Sequence, residues 1–123
     1  MNNIFIADTH CGHRTGLTPP KWWLPDDDGF IGKVARFQRE LWSWFCSEID
    51  SCGPVDTCIH VGDVIDGKGF RSGGTELLTP DRAVQIQMAE IVFEEIGAKN
   101  NLIINGTPYH TGNEEDWEAA QAL

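Results

Sequence analysis

Two short motifs set carboxylate and imidazole side chains at fixed spacing: Asp8-x-His10 near the amino terminus, and Gly62-Asp63-x-x-Asp66-x-x-Gly69 midway along the chain. A further histidine, His110, ends the run Gly106-Thr107-Pro108-Tyr109-His110. Oxygen and nitrogen donors of this kind suit Mn²⁺, Fe or Zn²⁺ better than Ca²⁺. Gly62, Gly67 and Gly69 would let the backbone wrap closely around a cation, because glycine has no Cβ to clash. Each feature also has a plainer reading. Asp-x-His alone is short enough to match freely and can be a strand-end turn. Asp63 and Asp66 between glycines can be turn chemistry. His60 reads as a core histidine or one that supports a ligand, His13 as a loop residue near the rim, and Cys11 as packing rather than a soft ligand. Arg14, Lys68 and Arg71 are the cations best placed to meet a phosphate, against the alternative of solvated loop charge.

The elements that must position these residues follow from hydrophobic period and turn chemistry. Residues 3–7, NIFIA, form a short apolar run that reads as a buried strand. A long Gly-, Pro- and Asp-rich segment follows and reads as loop. From Phe30 to about Cys52 the pattern turns helical, with Phe30, Val34, Phe37, Leu41, Phe45 and Ile49 on one face, Asp28 as N-cap and Gly53-Pro54 as the stop. Residues 55–61, VDTCIHV, read as a second strand ended by Gly62. Thr79-Pro80-Asp81 offers an N-cap, a proline at the first helical position and an acid in the first turn of a helix over about 81–97. Its expected inward positions are Val84, Met88, Ile91 and Phe93 or Val92. Residues 101–105, NLIIN, give a third strand, and a final helix is expected from about Asn113 to Leu123. The order β-α-β-α-β-α implies an α/β fold with a parallel sheet and crossover connections.

In such a sheet the strand ends point to one edge, where ligands bind. The residues that follow the strands would therefore bring Asp8, His10, Asp63 and His110 to one place. Among the aromatic residues, Trp22 and Trp23 either stack on a nucleobase or cover the first helix, while Trp42 and Trp44 read as core or interface.

Composition bounds the rest. The chain has 123 residues, read as a single domain over 1–123 or a piece of a larger one, and a chain of this size buries about 65% of its unfolded surface. With 6 Phe, 5 Trp and 1 Tyr it is not a disordered chain. Nine Lys+Arg against 19 Asp+Glu give a net charge of −10, so nothing draws the whole molecule to nucleic acid or to an anionic membrane. A phosphate-bearing substrate needs a local reversal of sign, which a bound metal supplies. No apolar run approaches the ~20 residues of a membrane span. The amino terminus lacks the basic region of a signal peptide, so the expected location is cytoplasmic. Cys11, Cys46, Cys52 and Cys58 contain no CxxC and read as reduced thiols, mostly core. No GxGxxG or P-loop follows the first strand, which argues against a nucleotide-binding fold of that kind.

Asp8-x-His10, then Gly62-Asp63-x-x-Asp66-x-x-Gly69, then a Gly106-led histidine motif after a third strand, resembles the calcineurin-like metallophosphoesterase family, in forms seen in bacteriophage and prophage members. The resemblance runs from residue 1 to about 112. It implies a hydrolase that holds two divalent metal ions, Mn²⁺ foremost with Fe or Zn²⁺ as alternatives, and acts as a phosphatase or phosphodiesterase through a metal-bound hydroxide. On that pattern Asp8 and His10 bind the first metal, and Asp63 bridges two ions ~3.5–4 Å apart. Asp66 orients a ligand or the loop, and His110 protonates the leaving group or stabilises an oxyanion. The third motif departs from the family's Gly-Asn-His: Thr107 stands where a metal-binding Asn is usual. No histidine follows His110, so the family's closing Gly-His-x-His has no counterpart in this sequence. The implied architecture is half of a four-layer α/β/β/α sandwich: the sequence is a fragment, or its other half lies on another chain or a second copy, or it is a degenerate relic. The implied substrate is a phosphate ester, with nucleotide or nucleic acid among the candidates. The alternative is a non-catalytic remnant that serves as a metal-binding or interaction module.

Overall fold

A computed structural model describes residues 1–69 and 72–105. Three short strands, β1 (Asn3–Ile6), β2 (Thr57–His60) and β3 (Asn100–Ile103), alternate with two helices, α1 (Phe30–Cys52) and α2 (Arg82–Ile96). The sheet is parallel throughout, in the order β1-β2-β3. The chain is thus α/β, with strands one to three residues shorter than the apolar runs suggest. The helix expected over 113–123 lies outside the described residues.

Register decides which side chains share a face. Ile6, His60 and Ile103 form one cross-strand row, and Phe5, Ile59 and Leu102 form the adjacent row on the opposite face. The first face is the inner one. Cys58 and His60 are fully buried there, and Ile4, Ile6 and Ile103 pack against a core that includes Trp42, Phe45 and Ile49 of α1 and Met88, Val92, Phe93 and Ile96 of α2. On the other face Phe5 is 70% and Leu102 56% exposed, with Val61 and Ile104 exposed beside them.

Helix α1 has the expected bounds, and its inward face keeps Val34, Phe45 and Ile49 but is rolled from the expected one. Phe30 and Phe37 are exposed, whereas Val34, Ala35, Gln38, Trp42, Phe45 and Ile49 are buried. The buried polar member explains the roll. Gln38 accepts a hydrogen bond from Leu24 N at 2.9 Å and donates one to Arg14 O at 2.8 Å, so its amide is satisfied inside. Phe30 is left outside, under the Arg14 guanidinium at 5.0 Å. The cap also moves. Gly29, not Asp28, is the boundary residue, and Asp27 Oδ1 accepts from Gly29 N at 2.8 Å and Gly32 N at 3.0 Å. A Cβ at Gly32 would lie 1.7 Å from Asp27 O, so this entry requires glycine.

Helix α2 starts two positions later than a proline at the first helical position suggests. Asp81 is itself the N-cap and accepts from Ala83 N at 2.9 Å, and Gly97 closes the helix in the left-handed region at φ 66°. Met88, Val92 and Phe93 are buried as expected, joined by Gln85, Ala89 and Ile96; Val84 and Ile91 are only half-buried. Trp23 donates to Thr18 O at 2.9 Å and lies under Arg39 of α1 at 5.4 Å, so this indole covers the first helix. Trp42 is core, while Trp44 is 59% exposed.

Candidate metal centre

The β1–β2 ladder does not stop where the strands do. Beyond Ile6 and His60 the two loops stay hydrogen-bonded side by side: Asp8 N to Gly62 O at 3.1 Å, His10 N to Asp63 O at 3.0 Å, Cys11 N to Val64 O at 3.0 Å, and Asp66 N back to Cys11 O at 2.9 Å. The pairing survives because the backbone is kinked at chosen points. Among the described residues the non-glycine positions with positive φ are Asp8 at 56°, His10 at 42° and Asp63 at 57°. Left-handed backbone at a non-glycine residue costs of order 1–3 kcal/mol and persists only where the surroundings impose it.

Those kinks turn three side chains toward one another. Asp8, His10 and Asp63 each offer one donor atom, all within 4.8 Å of one another. His10 Nε2 lies 3.7 Å from Asp8 Oδ1 and 4.0 Å from Asp63 Oδ2. Donors around a single ion at about 2.0–2.2 Å are spaced roughly 3–4 Å apart, so the set fits a divalent cation with little movement. The Asp8 side chain is 68% exposed and that of Asp63 8%, which puts one carboxylate at the mouth of the site and one at its floor.

Asp66 fixes the imidazole. Its Oδ1 accepts from His10 Nδ1 at 3.0 Å. A carboxylate can only accept, so the proton sits on Nδ1 and the Nε2 lone pair is left facing Asp8 and Asp63. The hydrogen bond that His10 donates to Asp66 also raises the His10 pKa above its usual 6.5, opposed by burial and helped by the charges of Asp66, Asp63 and Asp8. Three carboxylates around one imidazole favour positive charge at this spot.

His60 sits underneath, fully buried, and works through its neighbours. Its Nδ1 accepts from Gly62 N at 3.1 Å, which assigns the proton to Nε2. Nε2 then donates to Thr9 Oγ1 at 2.9 Å, and Thr9 Oγ1 donates to Val64 O at 2.9 Å. With both ring nitrogens engaged, His60 braces the two loops rather than ligating.

The remaining candidates are dispersed. His13 Nε2 is 2.6 Å from Glu76 Oε2, and its Nδ1 accepts from Thr15 N at 3.0 Å. Arg14 lies over Phe30, with Nη2 4.0 Å from Glu76 Oε1, so this cation is directed at Glu76 and the Phe30 ring. Lys68 is exposed, two residues beyond Asp66. Burial pushes the Cys11 thiol up to about 12, and its Sγ lies 3.6 Å from Leu17 O; it is packing. Thr107, His110 and Arg71 lie outside the described residues.

Sequence reasoning missed three residues that shape the site. Thr9 links His60 to Val64, Glu76 engages His13 and Arg14, and Gln85 is buried against Gly67. Thr9 could have been suspected from its place between Asp8 and His10. Glu76 and Gln85 give no signal, because a lone polar residue in a loop or helix reads as solvent-facing. Comparison of the chain with protein-family models, with curated protein sequences and with solved structures finds no match.

Proposed function

We propose that the chain is a metal-dependent phosphoesterase whose described ligands are Asp8, His10 and Asp63. One observation carries the reading: the three residues whose donors converge are the non-glycine residues with left-handed backbone among those described. A fold that strains its backbone where three ligands meet is organised around that meeting point. A divalent metal held there supplies Lewis-acid neutralisation of phosphoryl charge and a hydrolytic nucleophile at neutral pH. The chain's own residues do the rest. Asp66 holds the His10 tautomer and ring orientation, His60 and Thr9 keep the two loops in register, and Asp63 sets a buried negative charge at the floor of the site. Lys68 is the described cation next in sequence to the ligand loop, where it would meet an anionic substrate. The resemblance assigns His110 to the leaving group and Thr107 to a second metal, Mn²⁺ foremost. The exposed apolar row of Phe5 and Leu102 is consistent with half of a larger sandwich, because purely parallel sheets are normally covered on both faces.

The test is Mn²⁺-dependent hydrolysis of bis(p-nitrophenyl) phosphate and p-nitrophenyl phosphate by the purified chain, with Asp63→Asn as control. Asparagine tolerates the left-handed backbone at this position, so the change removes charge rather than the fold. Turnover that needs Mn²⁺ and is lost in the variant supports the reading; equal rates in both refute it. The second reading is a metal-binding module without turnover, for which the three donors that converge among the described residues are enough to hold an ion. It predicts Mn²⁺ binding with no hydrolysis of either ester.

A further inference from the structure

The two ligand-bearing loops are tied to each other by backbone hydrogen bonds, and both also meet one side chain of helix α2. Gln85 is fully buried. Its Oε1 accepts from Gly67 N at 2.8 Å, while its Nε2 donates to Gly67 O at 3.0 Å and to Thr79 O at 2.9 Å. The amide's two donor hydrogens and its carbonyl are all used, with both polar groups of a single glycine clasped between them. That glycine directly follows Asp66, the residue that orients His10.

The other loop lies against the same side chain. A Cβ at Gly12 would fall 2.5 Å from Gln85 Cγ, so the Gly12 backbone rests directly on the glutamine. Gly12 follows Cys11, whose carbonyl accepts from Asp66 N at 2.9 Å. Gln85 therefore touches each loop one residue beyond the pair that joins them. The buried residues that share α2 with it, Met88, Ala89, Val92, Phe93 and Ile96, are apolar.

We infer that Gln85 is a positioning residue that fixes the spacing of the two ligand loops from a rigid helix, and through that spacing sets how tightly a metal is held. The inference rests on the metal-site reading above. A ligand set carried on loops is only as well placed as the elements behind it, and residues that orient metal ligands typically change affinity by about 10- to 100-fold when replaced.

The test compares Gln85→Met with Gln38→Met in the full chain. Gln38 is the matched control: it is equally buried, but its amide ties Leu24 and Arg14, farther along the first loop. Two measurements are made on each variant, amide hydrogen exchange in the metal-free protein and Mn²⁺ affinity from the free-ion EPR signal. Thermal melting reports the loss of stability in each. Gln85→Met is expected to speed exchange at Gly67, Asp66 and Cys11 by at least about tenfold beyond Gln38→Met, and to weaken Mn²⁺ binding about tenfold or more. Equal effects of the two variants on exchange and affinity overturn the inference and leave Gln85 a buried amide that only stabilises the fold. Unchanged exchange at Gly67, or unchanged Mn²⁺ affinity with altered exchange, overturns it too. Absence of Mn²⁺ binding by the unsubstituted chain refutes the metal-site reading instead, while exchange still decides whether Gln85 holds the loops. If Gln85→Met does not fold, Gln85→Glu carries the same comparison, because it keeps the acceptor for Gly67 N and loses both donated bonds.

Discussion

Replacing Asp66 by asparagine tests how the site is held ready. The side chain keeps its shape, so packing around a residue 8% exposed is preserved. What changes is the partner of His10 Nδ1, 3.0 Å away. A carboxylate forces the proton onto Nδ1, whereas an amide can turn its NH₂ toward the ring and favour the opposite tautomer, with the proton on Nε2 where a metal must bind. Loss of such an orienting partner weakens metal affinity about 10- to 100-fold, or about 1.4–2.7 kcal/mol. The same change has a pH signature in the metal-free protein. The folded-state pKa of His10 is raised, with the Asp66 hydrogen bond as the largest cause. Its contribution to stability is therefore fully present below 6.5 and lost as pH rises through the raised value. The gap in melting temperature between the unsubstituted chain and Asp66→Asn should be widest below pH 6.5 and should narrow as pH rises through the His10 pKa. His10 should titrate lower in the variant by NMR, and Mn²⁺ should bind the unsubstituted chain more tightly as pH rises through the His10 pKa. Equal Mn²⁺ affinity together with an unmoved His10 titration would refute the reasoning.

Three further outcomes follow from the geometry. A Cβ at Gly16 would lie 2.2 Å from His10 O and 3.0 Å from Thr9 O, so Gly16→Ala must push the first ligand loop open. A stability loss of about 1–3 kcal/mol in urea is expected, with weakened Mn²⁺ binding; unchanged affinity would contradict the placement of His10. On α1, Trp42→Ala should cost about 3–5 kcal/mol and Phe37→Ala about 1 kcal/mol or less, although the apolar stripe in the sequence turns Phe37 inward. Denaturant titration of the two variants decides between them. Among the thiols, exposed Cys52 should react first with a disulfide reagent. Buried Cys11 and Cys58, pushed up to about 12 and about 11 by burial, should react only on unfolding. Comparable labelling rates for Cys11 and Cys52 in the native protein would overturn the burial of the first loop.

The sequence carried the element order well, because each strand and helix has a hydrophobic period that local propensity supports. The stop at Gly53 and the cap at Gly97 were legible for the same reason: both glycines sit at positive φ, 70° and 66°. The α1 face was misread because apolar periodicity cannot anticipate a buried glutamine, and Gln38 rolls the helix so that Phe30 and Phe37 turn outward. Asp81 was read as an acid within the first turn rather than as the cap because Thr79 and Pro80 make an equally good entry signal. At the site, residue types and spacing singled out Asp8, His10 and Asp63, and the structure brings these three together. What could not be read was how they are held. The left-handed kinks, the His60–Thr9–Val64 chain and the Gln85 clasp are long-range arrangements, and each joins residues that carry no local signal of one another. His13 and Arg14, which follow the first motif closely in sequence, are directed instead to Glu76, a partner far along the chain.

The most direct test of the account is a calorimetric titration of the metal-free chain with Mn²⁺, run in parallel on Asp63→Asn. The account predicts saturable binding in the unsubstituted chain that is abolished or weakened by at least about tenfold in the variant. Binding of equal strength in both proteins, or none in either, would contradict the claim that Asp8, His10 and Asp63 form a metal site.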